Sequence, residues 1–126
     1  MGQRIIKFKA KKLSDGEWVK GDLVHSTSYV GISYPSDEFS DVPVVHRVDP
    51  KTVCQFTGLK DENGVEVYEN DIVKVVYGEE HIYNVEYDDY RFNLYNEHTP
   101  IDIMPLFVAA DTCCTYVIGN KFDKKK

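Results

Sequence analysis

Long apolar runs are missing from this 126-residue chain, whose uninterrupted hydrophobic stretches reach only a few residues. A membrane-spanning helix needs roughly 18 to 20, so none is expected. The N-terminal segment alternates basic and apolar residues without the continuous apolar region of a secretory signal, so no such signal is expected either. Met1-Gly2 opens as a myristoylation signal does, but Ile6 stands where that pattern wants Ser or Thr. A soluble, cytoplasmic protein is the expectation.

Cysteine is scarce as well. Cys54, Cys113 and Cys114 make an odd number with one adjacent pair, which is no disulfide framework. Adjacent cysteines also lack the two-residue spacer that turns both thiolates toward one zinc ion, and on a strand they face opposite ways. His25, His46, His81 and His98 are scattered without ligand spacing. No Gly-x-Ser-x-Gly elbow, Gly-x-Gly-x-x-Gly turn or phosphate-binding loop occurs. No metal or cofactor is therefore expected.

Basic charge is short overall, with a net charge of −6, and it is segregated. Residues 1–12 carry Arg4, Lys7, Lys9, Lys11 and Lys12 with no acid, and residues 121–126 carry four lysines against Asp123. The intervening chain is strongly acidic, which argues against a broad phosphate-binding face on the body. Lys7, Lys9 and Lys11 alternate with Ile6, Phe8 and Ala10, the pattern of a strand's wet face guarding a sheet edge. Residues 121–126 read as a frayed, solvated tail.

The most informative stretch runs from Val53 to Val75. Val53 to Thr57 is a β-favouring run, and Val65 to Tyr68 is another after Asp61-Glu62-Asn63-Gly64. That is a hairpin, turned either by a primed two-residue type or by a type I turn closed with a glycine bulge. Gly58 suits a kink in the first strand. Glu69-Asn70-Asp71 is a second polar turn, with Asn70 placed where a left-handed residue is useful, and Ile72 to Tyr77 follows as a strand.

This stretch resembles the signature of the YopX-like family, small proteins of phages and prophages. There a Gln-aromatic-Thr-Gly-Leu segment leads through an Asn-Gly turn to Tyr-Glu-Gly-Asp-Ile-Val. The chain reads Gln55-Phe56-Thr57-Gly58-Leu59 and then Asn63-Gly64-Val65-Glu66-Val67-Tyr68-Glu69-Asn70-Asp71-Ile72-Val73, with Asn70 where Gly is usual. Ile6 to Ala10 resembles the family's first strand and Tyr116 to Asn120 its closing one. The resemblance implies a single domain over residues 1–126, a basic N-terminal strand at 4–12 and a bacterial host cell. It implies no activity.

Other segments alternate similarly. Residues 4–13 and 17–24 should pair across Asp15-Gly16, and Tyr29 to Tyr34 is a strand ended by Pro35. Asp49-Pro50-Lys51-Thr52 is a polar corner suited to one helical turn. In His81 to Tyr87, Tyr83, Val85 and Tyr87 share one face and Ile82, Asn84 and Glu86 the other, and Asp88-Asp89 turns the chain into Tyr90 to Tyr95. Helices should be one or two and short, the best being Ile101 to Ala110, interrupted by Pro105.

The fold class expected is mainly β, at most β-rich α+β, with an SH3-like small barrel or curled sheet in the C-terminal half. Nine Tyr and six Phe fill such a fold first, and only second offer a stacking platform between Tyr83 and Tyr95. Glu66, Glu69, Asp71, Asp88 and Asp89 are the carboxylates a hydrolase would use, although acidic turns are ordinary in so acidic a chain. Gln55, Glu69 and Asp71 are the signature side chains without an evident structural role, and so the candidate interaction residues. Binding is expected rather than catalysis, with a second copy of the chain and a host or phage protein as partners. Nucleic acid is the less favoured partner, and a membrane is not one.

Overall fold

The computed structural model describes residues 6–35, 42–88, 91–96, 99–105 and 114–123, which form eleven β-strands and one 3-10 turn. The protein is mainly β, and no α-helix occurs among the described residues. The chain divides into two compact units, Met1–Phe56 and Thr57–Lys126.

In the first unit β1 (Phe8–Lys11), β2 (Trp18–His25), β3 (Val30–Pro35) and β4 (Pro43–Arg47) are successive antiparallel neighbours. On its other side β1 pairs with β5 (Cys54–Lys60) through Phe8↔Gln55 and Lys9↔Cys54. Alternation sends Ala10, Val19 and Ile32 to one face, where they are buried with Val48 and flanked by Phe8, Val30, Tyr34 and Val53. The Asp15-Gly16 turn forms as its residues predict. Gly16 takes a φ of 75°, and Lys12 N–H donates to the Glu17 carbonyl at 2.9 Å. The backbone N–H of Glu17, then Lys12, hold the Asp15 carboxyl below its ordinary pKa.

The corner after β4 is a 3-10 turn at Pro50–Thr52, capped by Asp49, whose side chain accepts from Lys51 N–H. Thr52 Oγ1 donates to the Asp49 carbonyl and accepts from Lys11 N–H, which fixes the corner to β1. Cys54 is buried, and its thiol donates to the Thr52 carbonyl.

β5 continues into the second unit, where its next hydrogen-bonded neighbour is β6 (Glu66–Tyr68). Gly58 bends it with a φ of 89°. The turn between β5 and β6 is the type I form closed by a glycine bulge: Gly64 N–H donates to the Asp61 carbonyl, and only Gly64 of the turn has positive φ, 80°. A five-stranded antiparallel sheet follows in the order β10-β9-β8-β7-β11. Its strands are β7 (Asp71–Tyr77), β8 (Glu79–Asp88), β9 (Arg91–Asn96), β10 (Thr99–Pro105) and β11 (Cys114–Asn120). Val67, Val73, Val75, Tyr83, Val85 and Leu94 form its core, with Leu59, Phe92 and Val117 against them.

Several expectations are corrected. Residues 101–105 are strand rather than helix, because alternation and pairing with β9 prevail over apolar density; 106–110 lie outside the described residues. The second sheet is an open meander among the described pairings, not a closed barrel. Strand β1 lies between β2 and β5, so its lysines guard no edge. Within the tail expected at 121–126, Lys121–Asp123 form a turn, since Phe122 N–H donates to Asn120 Oδ1 and Asp123 N–H to the Asn120 carbonyl, and 124–126 lie outside the described residues. Tyr83 is buried core while Tyr87 is about half exposed, edge-on to Phe92, and Tyr90 lies outside the described residues. A continuous aromatic platform is not seen among the described residues. Cys113 and Asp89 also fall outside them.

Candidate interaction site

The signature turn is a hydrogen-bonded latch. Tyr68 N–H donates to Asp71 Oδ2 at 2.7 Å, closing a turn in which Asn70 adopts a φ of 69°. Asn70 N–H donates to the Val85 carbonyl at 2.7 Å, and its own carbonyl accepts from Lys121 N–H at 2.9 Å. Asp71 Oδ1 accepts from Asn120 Nδ2 at 2.8 Å, so the closing strand is tied to the signature turn. Asp71 is 1% exposed. A carboxylate so placed is fully engaged in holding backbone and amide donors that would otherwise be buried without partners.

A second latch lies one hairpin earlier. Asp61 Oδ1 accepts from Asn63 N–H at 2.8 Å and Val65 N–H at 2.9 Å, while Oδ2 accepts from Val117 N–H at 2.9 Å. The side chain thus shapes its own turn and fastens it to β11. Above it, Tyr68 is buried and donates its phenol to Glu66 Oε1 at 3.0 Å. Burial first, then Glu66 and Asp71, push the Tyr68 pKa well above its ordinary value.

Of the three predicted interaction residues, Glu69 and Asp71 share this turn, and Glu69 is half-buried. Gln55 lies opposite Phe8 on β5, in the other unit, and is half-buried too. Sequence reasoning took Asp61 for a turn residue and missed its three backbone bonds. An Asp opening an Asp-x-Asn-Gly turn is the available signal for two of them. It also missed Asn120, whose role depends on a residue 49 positions away.

Half-buried lysines and aromatic rings collect elsewhere, on the face of β1 and β2 turned away from Ala10 and Val19. Lys9 and Lys11 hold their ammonium groups 4.8 and 5.5 Å from the Trp18 ring centroid, and Lys7 lies 5.2 Å from that of Phe56. Lys20, opposite Lys9, shares that face and is exposed. Two strands from β2, exposed Arg47 sits 4.8 Å from the Tyr29 ring centroid. Gly31 leaves room there, since an added Cβ would meet the His46 carbonyl and Val45 Cγ1 at 3.0 Å. Among the described residues no group of His, Cys, Asp and Glu could hold a metal ion, and no helix is long and apolar enough to cross a membrane.

A family model described as YopX protein matches residues 7–125. The fold is similar to that of the crystal structure of protein EF1440 from Enterococcus faecalis, with a TM-score of 0.54 and 22% identity over 94% of each chain. Similarity at that identity speaks to fold alone. Comparison with curated proteins finds no match.

Proposed function

The chain belongs to the YopX protein family, and from that premise we propose that it is a non-enzymatic binding module whose contact surface is the cation-aromatic face of the first unit. One observation carries this reading: Lys9 and Lys11 lie over the Trp18 ring, Lys20 stands opposite Lys9, and Lys7 lies over the Phe56 ring of the neighbouring strand. The first unit holds eight Lys and Arg against seven Asp and Glu, whereas the second holds seven against fourteen. An anionic partner is drawn to the first unit's face and repelled by the second unit. The setting we propose is the cytoplasm of a bacterium carrying a phage or prophage.

A carboxylate-dependent hydrolase has less support, because Asp71 and Glu66 are occupied in internal hydrogen bonds. Association of two copies through β4 is the second reading. That strand ends its sheet and carries the exposed Val45, with exposed Val42 just before it.

The test is retention on a heparin column at pH 7. A protein with a sequence pI near 5.1 should pass through unless its cations are focused on one face. Wild type is expected to be retained at low salt and Lys9→Glu/Lys11→Glu to flow through, both folded by circular dichroism. Flow-through of wild type would dismiss the reading, and a dimer by light scattering that Val45→Lys dissolves would favour the second.

A further inference from the structure

We propose that the cation-aromatic face of the first unit binds single-stranded nucleic acid; this rests on the reading of that face as the contact surface. Three features select a single strand over other polyanions. Lys9 and Lys11 in β1 and Lys7 just before it recur every second residue, so in extended chain their stems stand about 6.6–6.8 Å apart. That interval is near twice the roughly 3.4 Å step between phosphates along one strand of a duplex, and suits an extended, unstacked chain. Trp18 stands beside the lysine row, and Tyr29 with Arg47 supplies a second aromatic and cation pair on the same face two strands away. Alternating π-surface and positive charge is what a strand of alternating bases and phosphates requires.

Duplex fits less well. The face is built from neighbouring strands of one sheet, and among the described residues no helix stands ready to enter a groove. An acidic peptide would offer carboxylates to the lysines but no planar group to the Trp18 ring.

Binding on this geometry is an exchange. Lys9 and Lys11 leave the ring of Trp18 for phosphate oxygens, and a base takes over the ring surface they covered. Each ammonium trades a cation–π contact for a charge-assisted hydrogen bond. The ring trades a cation for a stacked base.

Trp18 is the single tryptophan of the chain, so its fluorescence reports on this face alone. Titration of the full chain with an oligo-dT of about twelve nucleotides, within the usual site sizes of such modules, should quench it saturably. The log–log slope of affinity against salt should flatten by about 1.4 in Lys9→Ala/Lys11→Ala, from two lost phosphate contacts at about 0.7 each. With a labelled oligonucleotide read by anisotropy, Trp18→Ala should bind about tenfold more weakly and Trp18→Phe nearly as wild type. Circular dichroism and a thermal melt establish that each variant is folded. Tighter binding of a duplex of equal length, or unchanged affinity in both the lysine and Trp18→Ala variants, would overturn the proposal. Equal competition by poly-glutamate, or heparin retention without any oligo-dT binding, would overturn it while leaving the anionic-partner face standing. Failure to bind oligo-dT and heparin alike would remove both.

Discussion

The two units use polar residues in opposite ways. In the second unit the carboxylates of Asp61 and Asp71 point inward and hold five donors between them, tying two turns to the closing strand. In the first unit Lys7, Lys9 and Lys11, in or just before an internal strand and on the face turned away from Ala10, lie half-buried across aromatic rings. The family signature falls almost entirely in the second arrangement. A distinctive sequence pattern here marks where the backbone is hardest to satisfy, because a left-handed Asn, a bulge glycine and a buried carboxylate admit few substitutes. Lysines on a sheet face admit many, so a binding surface built from them carries a weaker pattern.

Removing Asp71 is the most severe way to challenge this contrast. Asp71→Ala leaves the Tyr68 N–H and the Asn120 amide buried without their acceptor, and should cost about 3 kcal/mol in urea denaturation. A folded Asp71→Ala protein with wild-type stability and lost partner binding would turn the signature from a latch into a site. Gly21→Ala is the matching lesion in the first unit. Its Cβ would collide with the Ser33 carbonyl in the facing strand and crowd Ile32 Cγ2, at a cost of about 2 kcal/mol by the same measurement. If Gly21→Ala lowered oligonucleotide and heparin binding while Asp71→Ala did not after refolding, function would segregate between the units as the charges do.

Local chemistry was legible in the sequence, and distant pairing was not. Gly58, Gly64 and Asn70 announce positive φ through their own side chains, or lack of them, and all three adopt it. Tyr83 and Val85 alternate with Ile82 and Asn84 and are buried as that alternation requires. The neighbours of β1 could not be read the same way. Its pairing with β5 joins Phe8 to Gln55, a contact that no window of adjacent residues reports, and so its lysines were misread as an edge. For the same reason Asp71 looked available: its partner Asn120 comes from the far end of the chain. At Ile101 to Pro105, apolar density concealed the alternation of Ile101 and Ile103 with Asp102 and Met104, and only pairing with β9 decides the matter.

A milder test follows from Tyr68. Tyr68→Phe forfeits the hydrogen bond to Glu66 and should lose about 1 kcal/mol near neutral pH. Its pH dependence is more specific. The phenol's folded pKa is raised, so its contribution is fully present below the unfolded value near 10 and is lost as the pH climbs toward the folded one. Wild-type stability should therefore fall above about pH 10 by up to roughly 1.4 kcal/mol per pH unit more steeply than that of Tyr68→Phe. Parallel pH profiles for the two proteins would mean that the ring is less enclosed by the signature than the latch requires.

The smallest expected effect bears on the signature's one departure from its usual form. Asn70 stands where Gly is common, at a φ of 69° that Asn tolerates and Gly adopts freely. Its backbone N–H donates to the Val85 carbonyl and its carbonyl accepts from Lys121 N–H, and Gly would retain both. Gly gains by relief of left-handed strain and loses by greater freedom in the unfolded chain, so Asn70→Gly should change stability by no more than about 0.5 kcal/mol. Asn70→Ala, which keeps neither the short polar side chain nor the freedom, should lose about 1 kcal/mol. If Asn70→Gly instead cost as much as Asn70→Ala, the Asn side chain itself would be part of the latch, and the signature would depend on side-chain chemistry at a position where backbone conformation now accounts for it.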